Sequence, residues 1–483
     1  MPAARRMLLG LGLALGCGGS ASSTDSASPP ATPAIEEPSA PPAAQCPADP
    51  IDVTVAPGTR PEHRDVEFWL AKLPPEAADA VLVPPSDVSA LNARFTEVEG
   101  AWHDPFDPAL ADGEGNAGKI DERLVWMGER VDDGRLLEGT PGDFGAAREI
   151  ARTAEPVDAL HMVVEEAPLW CAALDTGLYK PPVDRDFDRN RCASLHPGEV
   201  VRVLRRSPDG AWLYAHAGHT TGWLHAPALT PALPPEHLRP LLDGPALRPT
   251  DDDLRTEGGR RLRLGTVVPV VGHEGDARRV LVPTAEGLVP DRVRPDGQAV
   301  EGVLPLTRRN LWSLALAEQD TPYGWGGREG HRDCSRLVRD VMSTFGLQLA
   351  RHSGVQAKLG TERIDVSTLG EAGKLAQLRV AAQRGLVLLY MPGHIMIYLG
   401  EDRGQHYAVS AISEYLEPCA GGPDTVYRIG RVAVTTLELG RGSERTAYIE
   451  RLATLVVFGP GGSGPAQGSG AGTAGSEAVV GPT

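Results

Sequence analysis

At 483 residues the chain has room for three or four domains. Its formal charge of −17 is spread along the sequence, which argues against nucleic acid as a partner and against charge-driven adhesion to anionic polymers. Beyond the N-terminus no stretch approaches the roughly 20 apolar residues that span a bilayer, so membrane attachment is expected through an anchor only.

The first elements are targeting segments. Arg5 and Arg6 precede an apolar run from Met7 to Leu15 and then small residues, the pattern of a secretory signal over residues 1–17. Ala14-Leu-Gly-Cys17 resembles a lipoprotein cleavage box, although Ala stands where Leu is more usual. Processing there makes Cys17 a lipidated N-terminus. Residues 18–50, rich in Ser, Ala, Pro and Thr, cannot bury a core and read as a tether. Residues 459–483, rich in Gly, Ser and Ala, read as a disordered tail.

Residues 51–155 are expected to be mainly helical, with Ser86 capping a helix that carries Val88, Leu91 and Phe95. Residues 156–232 read as a small all-β unit: Gly198–Leu204 alternates like a strand, Ser207-Pro-Asp-Gly210 turns, and Ala211–Ala215 and Gly222–Leu224 follow. A weaker copy over 233–305 runs through Gly265–Val271, a turn near Gly275, Arg279–Val282 and Gly287–Val289. The two copies predict tandem SH3-like barrels. Asp184-Arg-Asp-Phe-Asp188 imitates a calcium loop, but Arg189 takes the required glycine position and Leu195 that of the bidentate acid. It reads as a polar loop.

Residues 321–338 are the most informative. A Gly-rich aromatic loop, Thr321-Pro-Tyr-Gly-Trp-Gly-Gly327, leads to Asp333-Cys-Ser335, and Leu337, Val338, Val341, Met342 and Phe345 then recur at helical spacing. Asp333 is placed as the N-cap, so Cys334 opens the helix, where unpaired N–H groups and the helix dipole favour a thiolate. Further on, Pro392-Gly393 punctuates the start of a short strand, His394-Ile-Met-Ile-Tyr-Leu399. A thiol with a histidine alongside is an activated nucleophile.

Together with Arg351-His-Ser-Gly-Val-Gln356 and Pro392–Gly400, these blocks resemble the NlpC-type cell-wall peptidases, papain-like thiol hydrolases of bacterial peptidoglycan. The resemblance covers roughly residues 60 to 458, including Phe68-Trp-Leu-Ala-Lys-Leu-Pro74 of the N-terminal module. It implies a multidomain chain: an α+β papain-like C-terminal domain over 306–458, preceded by two small all-β SH3-like barrels and the mainly helical module.

The resemblance also implies roles. Cys334 is the nucleophile and His394 its base and acid. Relatives often place a histidine third, on the next strand; here Ser410 takes that position if the hairpin pairs about residue 402. His406, about 13 Å further along the strand, is third only if the hairpin is shorter. Tyr323 is expected to line the site and help hold an oxyanion. Asp333, Ser335 and Ser353 match positions that hold the amino end of a stem peptide, with capping and turn roles as the plain alternatives. His331 and His352 match no catalytic position and read as solvated loop residues. A wall of the pocket is expected from the first SH3-like barrel. The substrate implied is a peptidoglycan stem peptide or muropeptide, cut between γ-D-glutamate and meso-diaminopimelate, without metal or organic cofactor. Rival readings are a catalytically inactive wall-binding scaffold and a thiol amidase or transferase acting on another amide. The location implied is the bacterial cell envelope, lipid-anchored, in the periplasm or at the cell surface. With Cys17 and Cys334 assigned, Cys46, Cys171, Cys192 and Cys419 remain, and they allow three pairings; Cys171 and Cys192, in one small unit, are the better candidate disulfide.

Overall fold

The computed structural model describes residues 46–460; the signal segment, Cys17, most of the tether and nearly all of the tail lie outside the described residues. The alternating apolar residues near the C-terminus build a seven-stranded sheet in the order Ile51–Asp52, Thr425–Thr436, Gln405–Glu417, His394–Asp402, Leu386–Met391, Thr454–Phe458, Glu362–Asp365. Every pairing is antiparallel except that of Ile51–Asp52 with Thr425–Thr436.

The strand from His394 is apolar on both faces because helices cover both faces of the sheet. Ile395, Ile397 and Leu399 pack with Leu337, Val338 and Val341 of the helix Cys334–Ser343. Met396 and Tyr398 pack with Leu378 and Ala381 of the helix Glu371–Arg384 on the other side. Full burial of one such aliphatic side chain contributes about 1.5–3 kcal/mol, so this double contact fixes the Cys334 helix on its strand. Among the described residues no helix is long and apolar enough to cross a membrane.

The first β unit is a six-stranded sheet in the order Glu155–Met162, Val200–Arg206, Trp212–His216, Thr221–His225, Ala167–Trp170, Arg191–Leu195. The second is five-stranded: Gly287–Val293, Ala277–Thr284, Val268–Glu274, Ala246–Pro249, Ala299–Glu301. Neither is closed by pairing of its edge strands, which corrects the expectation of two barrels. The strand expected from Gly265 starts at Val268, after a left-handed Gly265.

Ahead of them, the helices Val66–Leu70, Pro85–Phe95, Gly113–Asp132 and Asp143–Thr153 form the N-terminal part. Ser86 is not the N-cap: Pro84 is, with Pro85 as the first helical residue, where a missing N–H costs nothing. Trp69, buried, donates its indole N–H to the carbonyl of His63 at 2.8 Å. Cys171 pairs with Cys192 as expected, and Cys46 pairs with Cys419 across a sequence separation of 373.

Candidate active site

Cys334 is the first residue of its helix, and Asp333 caps it by accepting a hydrogen bond from the N–H of Arg336 at 3.0 Å. The Gly-rich loop is drawn in by the same carboxylate, which accepts from the N–H of Gly326 at 3.0 Å. Gly326 and Gly327 have φ of 61° and 83°, and a Cβ on Gly327 would lie 2.3 Å from that of Ser194. Glycine is thus required both for the turn and for close approach to the strand Arg191–Leu195 of the first β unit.

The thiol is buried, and the backbone N–H groups of Ile395 and Ser335 act on it to favour its charged form. That is what the helix start was expected to do, but these groups do not prevail. Burial, and next the charge of Asp333, push the Cys334 thiol up to about 12. His394, the neighbour of Ile395 on the strand, is pushed down to about 4 by burial and then by the charge of Arg451. At neutral pH the resting pair is therefore a neutral thiol and a neutral imidazole.

Nε2 of His394 lies 3.1 Å from the hydroxyl of buried Ser410, which leaves Nδ1 for the thiol side. The register that achieves this differs from the expected one. Ile397 pairs with Val409, a bulge follows Tyr398, and the turn falls between Asp402 and Gln405. Ser410 is thereby displaced by two residues from direct opposition to His394, yet diagonal neighbours on one face remain within side-chain reach. His406 is engaged elsewhere, its Nδ1 2.8 Å from the Tyr398 hydroxyl.

Three tyrosines lie within electrostatic reach of the thiol. Burial comes first in raising the hydroxyls of Tyr323, Tyr390 and Tyr448, and the Cys334 charge adds to it in each. The Tyr448 ring, which feels the Cys334 charge, stands 5.7 Å from the His394 ring. Phe187 of the first β unit packs 6.1 Å from Tyr323 and 5.7 Å from Trp325, with Arg189 over the Trp325 ring at 4.2 Å. That unit therefore packs against the loop that carries Tyr323. Asp188, in the calcium-like loop, accepts from the N–H groups of Leu178 and Asn190, as a structural loop carboxylate does.

Of the residues matched to the amino end of a peptide, Asp333 and Ser335 are already engaged. Arg351 donates to both oxygens of Asp333 and to the Ser335 hydroxyl, the latter at 2.7 Å. Burial opposes the charge of Asp333, but Arg351 and the two N–H donors outweigh it and hold the carboxyl below its usual range. Ser353 begins the short helix Ser353–Gln356, and its hydroxyl makes no hydrogen bond to the described residues. His352 is half-buried rather than solvated, with its imidazole pushed down to about 4 by burial and by Arg351. His331 is partly buried.

Sequence reading missed Arg351, Tyr390, Tyr448 and Arg451. It also missed a buried charge cluster behind the Cys334 helix. Asp340 faces Nε2 of His196 at 3.0 Å and Arg332 at 2.9 Å, Arg332 also pairs with Glu318 at 2.6 Å and Asp252 at 2.7 Å, and Arg336 pairs with Glu166 at 2.7 Å. The Arg-x-x-x-Arg-x-x-Arg-Asp spacing of residues 332–340 was the available signal, since it places several of these charges on an otherwise apolar helix.

Residues 320–415 match the NlpC/P60 family, and residues 178–225 match an SH3 domain of the SH3b1 type. The chain thus carries a papain-like NlpC/P60 domain, of the cysteine-peptidase class that hydrolyses peptidoglycan, with an SH3b domain ahead of it. No curated protein matches the chain. Among solved structures, an NlpC/P60 endopeptidase from Photobacterium damselae subsp. piscicida aligns with a TM-score of 0.66 at 15% identity, over 85% of this chain and 99% of its own. An NlpC/P60 family protein from Bacillus cereus ATCC 10987 aligns with a TM-score of 0.43 at 17% identity, over 62% of this chain and 100% of its own. At these identities the first likeness is one of fold.

Proposed function

We propose that the chain is an envelope peptidase, anchored through lipid on Cys17, that cleaves the bond between γ-D-glutamate and meso-diaminopimelate in peptidoglycan stem peptides or muropeptides. The observation that carries this reading is at the helix tip: a buried thiol whose charged form is favoured by the N–H of Ile395, the residue next to a histidine whose Nε2 lies 3.1 Å from the Ser410 hydroxyl. The reading divides the chain into the helical module over 51–155, the β units over 156–232 and 233–305, and the peptidase domain over 306–458.

The Cys334 thiol passes its proton to Nδ1 of His394 as sulfur adds to the γ-carbonyl carbon. The resulting oxyanion is held by backbone N–H groups at the helix start and by the Tyr323 hydroxyl. On collapse the C–N bond breaks, and the imidazolium proton goes to the departing amine. Water then adds to the thioester carbon, its proton taken by His394 and returned to sulfur as the C–S bond breaks. Ser410 holds the imidazole in one orientation throughout. Ser353 meets the amino end of the stem, while Asp333 and Ser335, held by Arg351, shape that end of the cleft.

The test is incubation of L-Ala-γ-D-Glu-meso-diaminopimelate with the processed chain, with products read by mass spectrometry. L-Ala-D-Glu and free diaminopimelate are expected, and neither from Cys334→Ala. Binding without turnover, unchanged in Cys334→Ala, would make the domain a wall-binding scaffold. Cleavage of another acyl amide but not of this peptide would make it a thiol amidase.

A further inference from the structure

Arg451 ends the short helix Tyr448–Arg451, half-buried beside the active site. Its guanidinium lies 5.9 Å from the centre of the Tyr448 ring, and that ring lies 5.7 Å from the ring of His394. The backbone on either side of it is clamped, because the buried ammonium of Lys374 donates to the carbonyls of Glu450 at 2.6 Å and Leu452 at 2.7 Å. Arg451 is therefore placed with precision. Yet among the described residues no carboxylate pairs with it.

A half-buried guanidinium without an anion is costly, and the neighbourhood makes it more so. Burial disfavours its charged form, the Tyr448 hydroxyl partly offsets this, and the charge of Arg445 adds a smaller opposing push. Arg445 is itself only loosely paired, 3.8 Å from Glu414. The half-buried Arg451 guanidinium, one tyrosine ring from His394, is thus open to an anion from outside the chain.

Its position says which part of a substrate supplies the anion. His394 delivers a proton to the departing amine, and Arg451 stands one tyrosine ring from His394. We propose that Arg451 is a specificity-determining residue that binds a carboxylate of the residue on the amine side of the scissile bond. This rests on the γ-D-glutamyl reading above. In diaminopimelate two carboxylates qualify, one on the main chain and one on the side chain, and a planar guanidinium matches either bidentately.

The test measures kcat/KM of the full chain and of Arg451→Gln and Arg451→Lys on L-Ala-γ-D-Glu-meso-diaminopimelate. It adds two further peptides: L-Lys as third residue, lacking the side-chain carboxylate, and meso-diaminopimelate with an α-amide, lacking the main-chain one. Arg451→Gln is expected to lower kcat/KM about 10- to 100-fold on the full diaminopimelate peptide, chiefly through KM, the size expected for a lost charge-assisted bond. Arg451→Lys should recover part of it. The peptide lacking the carboxylate that Arg451 binds should lose far less on Arg451→Gln than the full peptide does, the small remaining change being relief of the Arg451 charge on His394, and its continued turnover shows that the variant is folded. An unchanged kcat/KM on the full peptide, or an equal fall on all three peptides, would overturn the inference while leaving the peptidase reading intact. Failure of the wild type to cleave any of them would overturn both.

Discussion

Replacing Ser410 by alanine isolates the least usual part of the site. The hydroxyl lies 3.1 Å from Nε2 of His394, and the serine is 1% exposed and so shielded from bulk water. The bond joins two neutral groups, since His394 is held down to about 4 and carries no charge at neutral pH. A neutral hydrogen bond contributes about 0.5–1.5 kcal/mol net, and an unpaired buried donor costs about 1–3 kcal/mol. With about 1.4 kcal/mol for each factor of ten, Ser410→Ala should lower kcat/KM roughly 5- to 50-fold. The assay is single-turnover hydrolysis of the diaminopimelate peptide, with Cys334→Ser and His394→Ala in parallel, both of which should abolish turnover. A Ser410→Ala loss as complete as theirs would show that serine is essential to the chemistry, and no loss at all would show that orientation of Nε2 is irrelevant. Either result refutes the role given to this hydroxyl.

Three further outcomes follow from the same geometry. A base must be unprotonated to act, so activity falls as pH drops through the pKa of His394; the acid limb of kcat/KM should lie near pH 4 rather than near the ordinary imidazole value of about 6.5, and a limb near 6.5 would mean that the imidazole is solvated. Arg351→Met leaves the buried Asp333 carboxylate without its cation and should cost about 3–5 kcal/mol in urea denaturation; the double change with Asp333→Asn should recover much of that, and additive losses would show that the two are uncoupled. Joint replacement of Cys171 and Cys192 by serine opens a loop with a sequence separation of 21 and should cost about 3 kcal/mol by the same measurement, an expectation that an unchanged midpoint would refute.

What could be read from the sequence was whatever local chemistry dictates. Asp333 as N-cap, the apolar stripe behind Cys334 and the short strand from His394 are set by residues a few positions apart, and each stands as read. Ser410 was placed beside His394 through a register wrong by two residues, because the turn falls between Asp402 and Gln405 rather than about residue 402, and the bulge at Gly400 takes back one residue of that shift. It was still found, because a shift of two keeps a side chain on the same face. The Ser86 cap failed because Pro85 fits the first helical position better.

The rest depended on distance in the chain. Tyr448 and Arg451 come from beyond the matched blocks, and Cys46 meets Cys419 only because the N-terminal strand joins the sheet edge. Arg332, Arg336 and Asp340 are of types that usually face solvent. In the fold they are buried together against the first β unit, where each charge is offset by another. The thiol was expected to be acidic from its place at a helix start, but burial depends on what covers that start, and the sequence does not show it.

The most direct test is to trap the covalent step. Rapid acid quenching of the wild type with L-Ala-γ-D-Glu-meso-diaminopimelate, followed by intact-mass and peptide-mapping spectrometry, should reveal an L-Ala-γ-D-glutamyl thioester on Cys334. It should be absent from Cys334→Ala, which should also release no diaminopimelate. Release of diaminopimelate by Cys334→Ala, or an acyl group mapped to any other side chain, would contradict the account.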